Sequence, residues 1–494
     1  MRALLCGLAA GGLLLGVARS EAAVPPQPAL NPIRAENALP GTTAWQVPGG
    51  GADLYASEIG AAPGDQVHLH VSAEGRYRIV VYRLGWYGGA GARLMACLPS
   101  CTTDEPGASQ PGPVPAEPVR ANWPVTDTLQ TGASWVSGYY LVEALSTSGP
   151  QQGHAGATFF ILRPPPTAQT SQILVQVPVN TWEAYNWWGG HSLYDVRGGR
   201  RAKAVSFDRP FGDLHQSPMW WEIQAVRFLE RGGWDVSYQT DYDTDQDPGS
   251  LLRHRALIDI GHDEYWTIPM RDAWDAAQAA GINTIFLGSN EAYWHIDYQD
   301  NGRTIWGYKS LYDPNPDPTQ KTAMFKEIGR PECELMAVEN VSVTPLTSQL
   351  DYTVQPVAAT DPWFTATGLE PGDTIAGVVG REHDQLNPWP DSCIHSGLEV
   401  LFHYQGTGGD QNADAVKYVT PAGGEVFATG AQQFSWALDS YRSDGSLFPP
   451  APCSQLGPVP ADERIQQFMT NVLVDMTRSL AVAHAHRAHG RRQR

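Results

Sequence analysis

ALIDIGHDEYW, Ala256 to Trp266, is the stretch on which the fold turns. Ala256 to Ile260 make a mostly apolar run of strand length. Gly261 stops it, and His262, Asp263, Glu264 and Tyr265 follow at once. Ionisable groups massed where a buried strand ends have a physical reason in an open α/β sheet, because ligands bind beyond the carboxyl ends of its strands. The flanks agree. QILVQVPV (Gln172–Val179) is a continuous apolar run, as in a sheet buried on both faces. INTIFLG (Ile282–Gly288) is another. Thr267 is placed to cap a helix through MRDAWDAAQAAG that ends at Gly281. Ser217, with Pro218 at the first helical position, predicts a helix to about Arg231, and WDVSYQT after it is a strand. Alternating strands and helices predict βαβ units and a mainly parallel sheet. TIAGVVG, LEVLFHYQG and GEVFATG add strands, and ADERIQQFMTNVLVDMTRSL is a closing amphipathic helix. This α/β unit is expected over residues 171–478.

Upstream the period differs. DQVHLHVSAEGRYRIVVYRLGWYGG alternates apolar and polar residues and then meets glycines, and SGYYLVEAL and HAGATFFILRP repeat the style. Short β runs broken by Gly and Pro predict an antiparallel, immunoglobulin-like β-sandwich over residues 36–163. Residues 24–35, rich in Pro and Ala, are expected to be extended. RPPPTAQTS (Arg163–Ser171) reads as a linker, since consecutive prolines stiffen the chain and cannot continue a ladder.

Composition narrows the function. Hydrophobic residues make up 42% of the 494, which suits a folded protein rather than a disordered one. The formal net charge of −19 argues against a nucleic-acid partner and an anionic membrane surface, since both call for basic patches. Arg2, an apolar run from Ala3 to Val17 and small residues after it read as a signal peptide over residues 1–22, cut after Ser20 or Ala22. The run is short for a membrane span, which takes ~20 residues. An exported protein, periplasmic or secreted, is therefore expected. Such a protein can keep disulfides. Cys97 and Cys101 can pair locally, and one pair is expected among Cys333, Cys393 and Cys453. HAHRAHGRRQR, within residues 479–494, reads as a disordered basic tail.

Three polar segments start where strands end: NTWEAYNWWGGHSLYD (Asn180–Asp195), GHDEYW (Gly261–Trp266) and GSNEAYWHI (Gly288–Ile296). A fourth, GREHDQLNP (Gly380–Pro388), follows another strand. They offer Tyr185, Tyr194, His262, Asp263, Glu264, Tyr265, Glu291, Glu382 and His383. There is no G-x-S-x-G elbow, P-loop or G-x-G-x-x-G after the first strand, and no cysteine at a strand end. The oxygen-rich remainder suits a hard cation, and a carboxylate with deprotonated tyrosines would favour a trivalent ion such as Fe(III). The blander reading makes the acids of GHDEYW helix-capping groups and the Trp/Tyr cluster ordinary packing.

VYRLGWYGGAGAR (Val81–Arg93), TWEAYNWWGGHSLYD, GHDEYW and FLGSNEAYW together resemble the N,N-dimethylformamidase large (beta) subunit-like family, in its C-terminal catalytic region. The resemblance implies a β-sandwich followed by a domain similar to class I glutamine amidotransferases. It implies hydrolysis of a small-molecule amide by mononuclear iron, Fe(III), held by Tyr185, Tyr194 and Glu264. His262 and Glu382 take the catalytic places. In that mechanism iron acts as Lewis acid and water activator, and Trp182, Trp187, Trp188, Trp266 and Trp294 wall the pocket. A different substrate, such as a cell-surface polymer, and a homo-oligomer are both compatible with it. The rival reading is a non-catalytic exported protein that binds a glycan or peptide in the same aromatic crevice.

Overall fold

The computed structural model describes residues 31–113, 117–165, 171–194, 201–212, 218–344, 348–387, 390–406, 412–442 and 457–478. The expected signal peptide, the tail, Ser217 and Cys453 lie outside them.

Residues 24–30 of the segment expected to be extended lie outside the described residues, and its last residues belong to a helix. α1 (Pro32–Asn37) forms because the Asn31 side chain accepts from the Ile33 and Arg34 amides and Pro32 sits at the first position, where no N–H is needed. Two sheets follow. β1 (Asp53–Ala56), β3 (Gln66–Ser72) and β6 (Asp127–Gln130) make a three-stranded antiparallel sheet in the order β1-β3-β6. β2 (Gly60–Ala61), β4 (Arg76–Leu84), β5 (Ala92–Leu98), β7 (Gly138–Ser146) and β8 (Ala155–Leu162) make the other, in the order β2-β8-β7-β4-β5, with Glu105–Pro106 also paired to β4. Only its short β2–β8 pair is parallel.

The larger of these sheets is covered on both faces. On β7, Tyr140, Val142 and Ala144 face a core shared with β1 and β3. Tyr139 and Leu141 face the opposite way and pack with Val175, Val236 and Tyr238 of the second half of the chain. This explains why YYLV reads as apolar throughout, since alternation is lost when both faces are buried.

The second half is built on a nine-stranded sheet. Its strands are β9 (Ile173–Val177), β10 (Val236–Thr240), β11 (Ala256–Gly261), β12 (Asn283–Gly288), β13 (Leu350–Val354), β14 (Thr374–Val379), β15 (Glu399–Tyr404), β16 (Ala413–Val419) and β17 (Glu425–Ala428). They lie in the order β10-β9-β11-β12-β17-β16-β15-β13-β14. From β10 to β17 all pairings are parallel. From β17 to β14 all are antiparallel. The sheet is thus mixed, which corrects the mainly parallel expectation. The later strands return through turns and short connections, whereas parallel neighbours need a crossover.

Helices accompany the parallel half: α2 (Val179–Ala184), α3 (Ile223–Gly232), α4 (Asp241–Gln246) and α5 (Ile268–Ala279), with α6 (Glu463–Thr477) closing the described chain. α3 starts later than its capping signal suggested. Met219 takes a left-handed φ of 62°, and Trp220 and Trp221 stack on each other at 4.9 Å before the helix begins. α5 starts as expected, with the Thr267 hydroxyl accepting from the Met270 amide. Disulfides join Cys97 to Cys101 and Cys333 to Cys393. No helix among the described residues is long and apolar enough to cross a membrane.

Candidate active site

β9, β11 and β12 are adjacent and parallel, so the three polar segments that follow them emerge on one side of the sheet. Glycine makes the close approach possible. A Cβ on Gly288 would lie 1.8 Å from the Gly261 carbonyl, and one on Gly261, at φ +83°, would meet Glu222 at 2.8 Å. The segment after β11 is fixed by its neighbours. The Glu264 amide donates to Thr181 Oγ1 at 3.0 Å, and the amides of Tyr293 and Trp294 donate to the Glu264 carbonyl at 3.1 and 2.8 Å. Tyr265–Trp266 then pairs in parallel with Trp294–His295.

This scaffold brings the expected residues together. Tyr185 Oη donates to Glu264 Oε2 at 2.7 Å, and both residues are buried. The Tyr194 ring lies 5.1 Å from that of Tyr185, centre to centre. His262 Nε2 is 3.7 Å from Glu264 Oε2 and 3.0 Å from Glu382 Oε2. Glu382 arrives from the strand Glu382–Leu386, which pairs with Val338–Val343, outside the nine-stranded sheet. The preceding residue, Arg381, has a left-handed φ of 58°.

Three further residues join the cluster that the sequence reading did not single out. Asn290 Nδ2 donates to Glu382 Oε2 at 2.7 Å, and Gln432 Nε2 donates to the same oxygen at 3.3 Å. Lys309 Nζ donates to Tyr265 Oη at 2.6 Å and lies over the rings of Trp294, Tyr265 and Tyr194 at 4.5, 4.9 and 5.7 Å. Gln432 follows β17, so the strand-end argument that picked out GHDEYW would have found it. Lys309 lies in a loop and carries no such signal.

Other expected members go elsewhere. The His383 ring packs edge-on against Tyr404. Glu291 is buried among carboxylates, with Asp384, Asp263 and Glu382 all holding its proton on. Of the tryptophans expected to wall the site, Trp294 lies beneath Lys309. Trp182 donates to Glu222, Trp266 packs on Trp274 and Trp188 packs on Trp123. They are committed to packing, where a large apolar ring stabilises most.

The electrostatics divide the cluster into two. Burial opposes ionisation of Glu382, but His262, Arg381 and Asn290 outweigh it and hold its pKa at about 2. Burial likewise disfavours a charged His262, and Glu382 and Glu264 overcome it, so its pKa is raised. The pair is therefore an ion pair. In the other half, burial and the Glu264 charge push Tyr185 far up, so it is a neutral phenol donating to Glu264. Burial also raises Glu264, against the pull of Lys309 and His262. Burial brings Lys309 down to about 8.

Among the described residues, no group of three or more His, Cys, Asp or Glu side chains is placed to hold a metal ion. Any ion here depends on the tyrosine oxygens. Tyr185, Tyr194 and Glu264 offer oxygen donors, the kind a hard cation takes, and Tyr185 Oη already meets Glu264 Oε2. A strong positive charge would also lower the phenol pKa.

N,N-dimethylformamidase beta subunits from Alcaligenes sp and Paracoccus aminophilus are each 29% identical to this chain, over 121 and 120 residues. Each match covers 22% of this chain and 16% of the relative. A solved cycloisomaltooligosaccharide glucanotransferase from Paenibacillus sp. aligns over 62% of both chains at 8% identity, with a TM-score of 0.17. The family described as N,N-dimethylformamidase beta subunit-like, C-terminal, matches residues 78–446, most of the chain, and the chain belongs to that family.

Proposed function

We propose that the protein is an iron-dependent hydrolase that cleaves the C–N bond of a linear amide. The observation that carries this reading is the meeting of Tyr185, Tyr194 and Glu264 beside a buried His262–Glu382 ion pair. Family membership supports amide hydrolysis as the reaction class. Iron, held by Tyr185, Tyr194 and Glu264, would supply Lewis acidity toward the amide carbonyl.

The chain's own groups do the rest. In hydrolysis, water oxygen bonds to the carbonyl carbon and loses a proton, and the C–N bond breaks as the amine nitrogen gains one. A proton carried between Glu382 Oε2 and His262 Nε2, 3.0 Å apart, serves both steps. Lys309 places a positive charge against Glu264 and limits the build-up of negative charge. Tyr185, His262, Glu264, Lys309 and Glu382 are nearly inaccessible, which suits a small substrate and keeps water scarce. As part of the same reading, the parallel half of the sheet is taken as similar to class I glutamine amidotransferases. Export is retained too: the N-terminal segment has signal-peptide character, and the two disulfides suit an oxidising compartment.

The test is metal analysis of purified protein with its visible spectrum, alongside hydrolysis of small formamides. About one iron per chain is expected, with a phenolate-to-iron absorption band that Tyr185→Phe and Glu264→Gln weaken or abolish. A chain that takes up no iron when iron is supplied, or that takes it up and cleaves no amide, would refute the reading.

A further inference from the structure

A hydroxyl and an imidazole meet on the sandwich, outside the candidate active site. Tyr55 on β1 and His70 on β3 are opposite each other in register, so their side chains leave the same face of the sheet. Their rings stack at 4.3 Å and are parallel to within 2°. Ser57 lies two residues past Tyr55 and returns to that face. Its Oγ meets His70 Nε2 at 2.8 Å.

The other ring nitrogen decides the roles. His70 Nδ1 lies 2.7 Å from the carbonyl oxygen of Trp123. A carbonyl only accepts, so Nδ1 must carry the hydrogen. In the neutral ring Nε2 is then a bare acceptor, and Ser57 is the donor. The orienting group is itself held, since the Trp123 amide donates to Tyr55 Oη at 3.2 Å. Nucleophile, base and orienting acceptor follow in the order that activates a serine, with a main-chain carbonyl in the third place. His70 is buried and Ser57 half-buried. Water reaches their neighbours His68 and Glu58, whose side chains are 37% and 31% exposed.

We propose that Ser57 is a nucleophile with His70 as its base, and that the pair takes the acyl group of small carboxylic esters with good leaving groups. The third member argues for that class. A neutral carbonyl orients the imidazole but gives the imidazolium no counter-charge, which suits a group that departs easily rather than an amine. Ser57 Oγ bonds to the ester carbonyl carbon, and its proton passes to His70 Nε2. The bond from that carbon to the leaving oxygen breaks, and the leaving oxygen takes the proton. Water then bonds to the acyl carbon and gives a proton to Nε2. The acyl–Oγ bond breaks as that proton returns to Ser57. Arg303 Nη2 donates to the carbonyl of Ala56 at 3.1 Å, which brings a guanidinium to within one residue of the developing oxyanion. The reaction uses none of Tyr185, Tyr194, Glu264, His262 and Glu382, so it stands apart from the amide-hydrolase reading.

The experiment treats the full-length protein with diisopropyl fluorophosphate and locates the adduct by intact mass and peptide mapping. Ser57 Oγ bonds to phosphorus, fluoride leaves, and the serine proton goes to His70. A single phosphoryl group is expected, on Ser57. p-Nitrophenyl acetate should release a burst of about one p-nitrophenol per chain. His70→Gln keeps a donor for the Trp123 carbonyl and removes the base, so labelling should slow by roughly 10²-fold or more in a variant whose thermal melt matches the wild type. An unlabelled Ser57 in the wild type, under conditions that label a known serine hydrolase, overturns the proposal without any variant. So does a label carried only by another residue. Equal labelling rates in His70→Gln and the wild type would also overturn it, since the contact would then be packing alone.

Discussion

Arg83 on β4 forks onto Glu230 on α3: one guanidinium nitrogen lies 2.8 Å from Oε1 and another 3.1 Å from Oε2, and neither side chain is exposed. The contact crosses between the sandwich sheet and the helix beside the nine-stranded sheet. Its surroundings complete it. Tyr238 Oη donates to Glu230, Arg83 donates to Tyr87 Oη, and Tyr87 passes a hydrogen bond to Glu36 on α1. Outside it, Arg227 lies between the rings of Trp86 and Tyr441. This gives a structural reason for VYRLGWYGGAGAR, which lies away from the candidate site.

A buried pair of this kind stabilises little relative to apolar packing, yet removing one partner strands a charge. Arg83→Met is therefore expected to lower unfolding stability by roughly 3–5 kcal/mol, measured by urea denaturation. Arg83→Met with Glu230→Gln should recover part of that loss. Equal destabilisation by the single and double variants would show that the fork does not couple the two halves.

Glu382→Gln separates proton transfer from metal holding. The amide is nearly isosteric but cannot act as the counter-charge of His262. Turnover should fall by roughly 10²–10⁴-fold, the range typical of losing a general acid or base, while iron content and the phenolate band stay as in the wild type. Loss of iron along with activity would place Glu382 among the groups that hold the metal.

How far the sequence could be read depended on the range of the interactions. ALIDI, QILVQV and INTIFLG declared themselves because a strand buried on both faces must be apolar throughout, and Thr267 marked a helix start because capping is local. The convergence of Tyr185, Glu264 and His262 followed from strand-end geometry. The antiparallel half of the sheet did not show, since β13 to β17 look the same from either direction and only their partners fix the sense. Lys309 was hidden because nothing near it in sequence marks it as facing Glu264. Trp182 and Trp266 misled because packing and pocket lining call for the same residue type.

Lys309→Met removes a positive charge that burial already holds down to about 8. Without it Glu264 is harder to ionise, because Lys309 is the first charge opposing its desolvation. Activity is expected to fall by roughly 10²-fold, the scale of losing one electrostatic contact in a water-poor site. Lys309→Arg should retain more activity than Lys309→Met. Identical losses in the two variants would mean that packing over Trp294 and Tyr265, not charge, is what Lys309 provides.

Glu143 on β7 gives a pH test remote from the site. Burial pushes its pKa up to about 9 from 4.5. Between those values the native chain keeps a proton that the unfolded chain has released, so this group's contribution is fully present below about pH 4.5 and is lost as pH rises through 9. Glu143→Gln stays neutral throughout. Its stability relative to the wild type should therefore climb between pH 5 and pH 8.5, by about 2 kcal/mol or more at one pKa unit per 1.36 kcal/mol. Chemical denaturation of both proteins at the two pH values checks this. A constant difference would show that Glu143 is ionised in the native protein.

The Cys333–Cys393 disulfide spans a sequence separation of 60 and ties the short helix Cys333–Met336 to the segment that follows the Glu382 strand. In the chain-entropy view, cross-linking a loop of that length stabilises by about 4 kcal/mol, because the unfolded chain loses the freedom to separate its ends. Cys97–Cys101, with a separation of only 4, constrains far less. Replacing Cys333 and Cys393 together by Ser should thus lower the denaturation midpoint clearly more than the same change at Cys97 and Cys101. Glu382 begins a strand inside the enclosed loop, so the larger change should also loosen its geometry and reduce turnover. Comparable losses from the two double substitutions would mean that the longer loop is already ordered when the chain is unfolded.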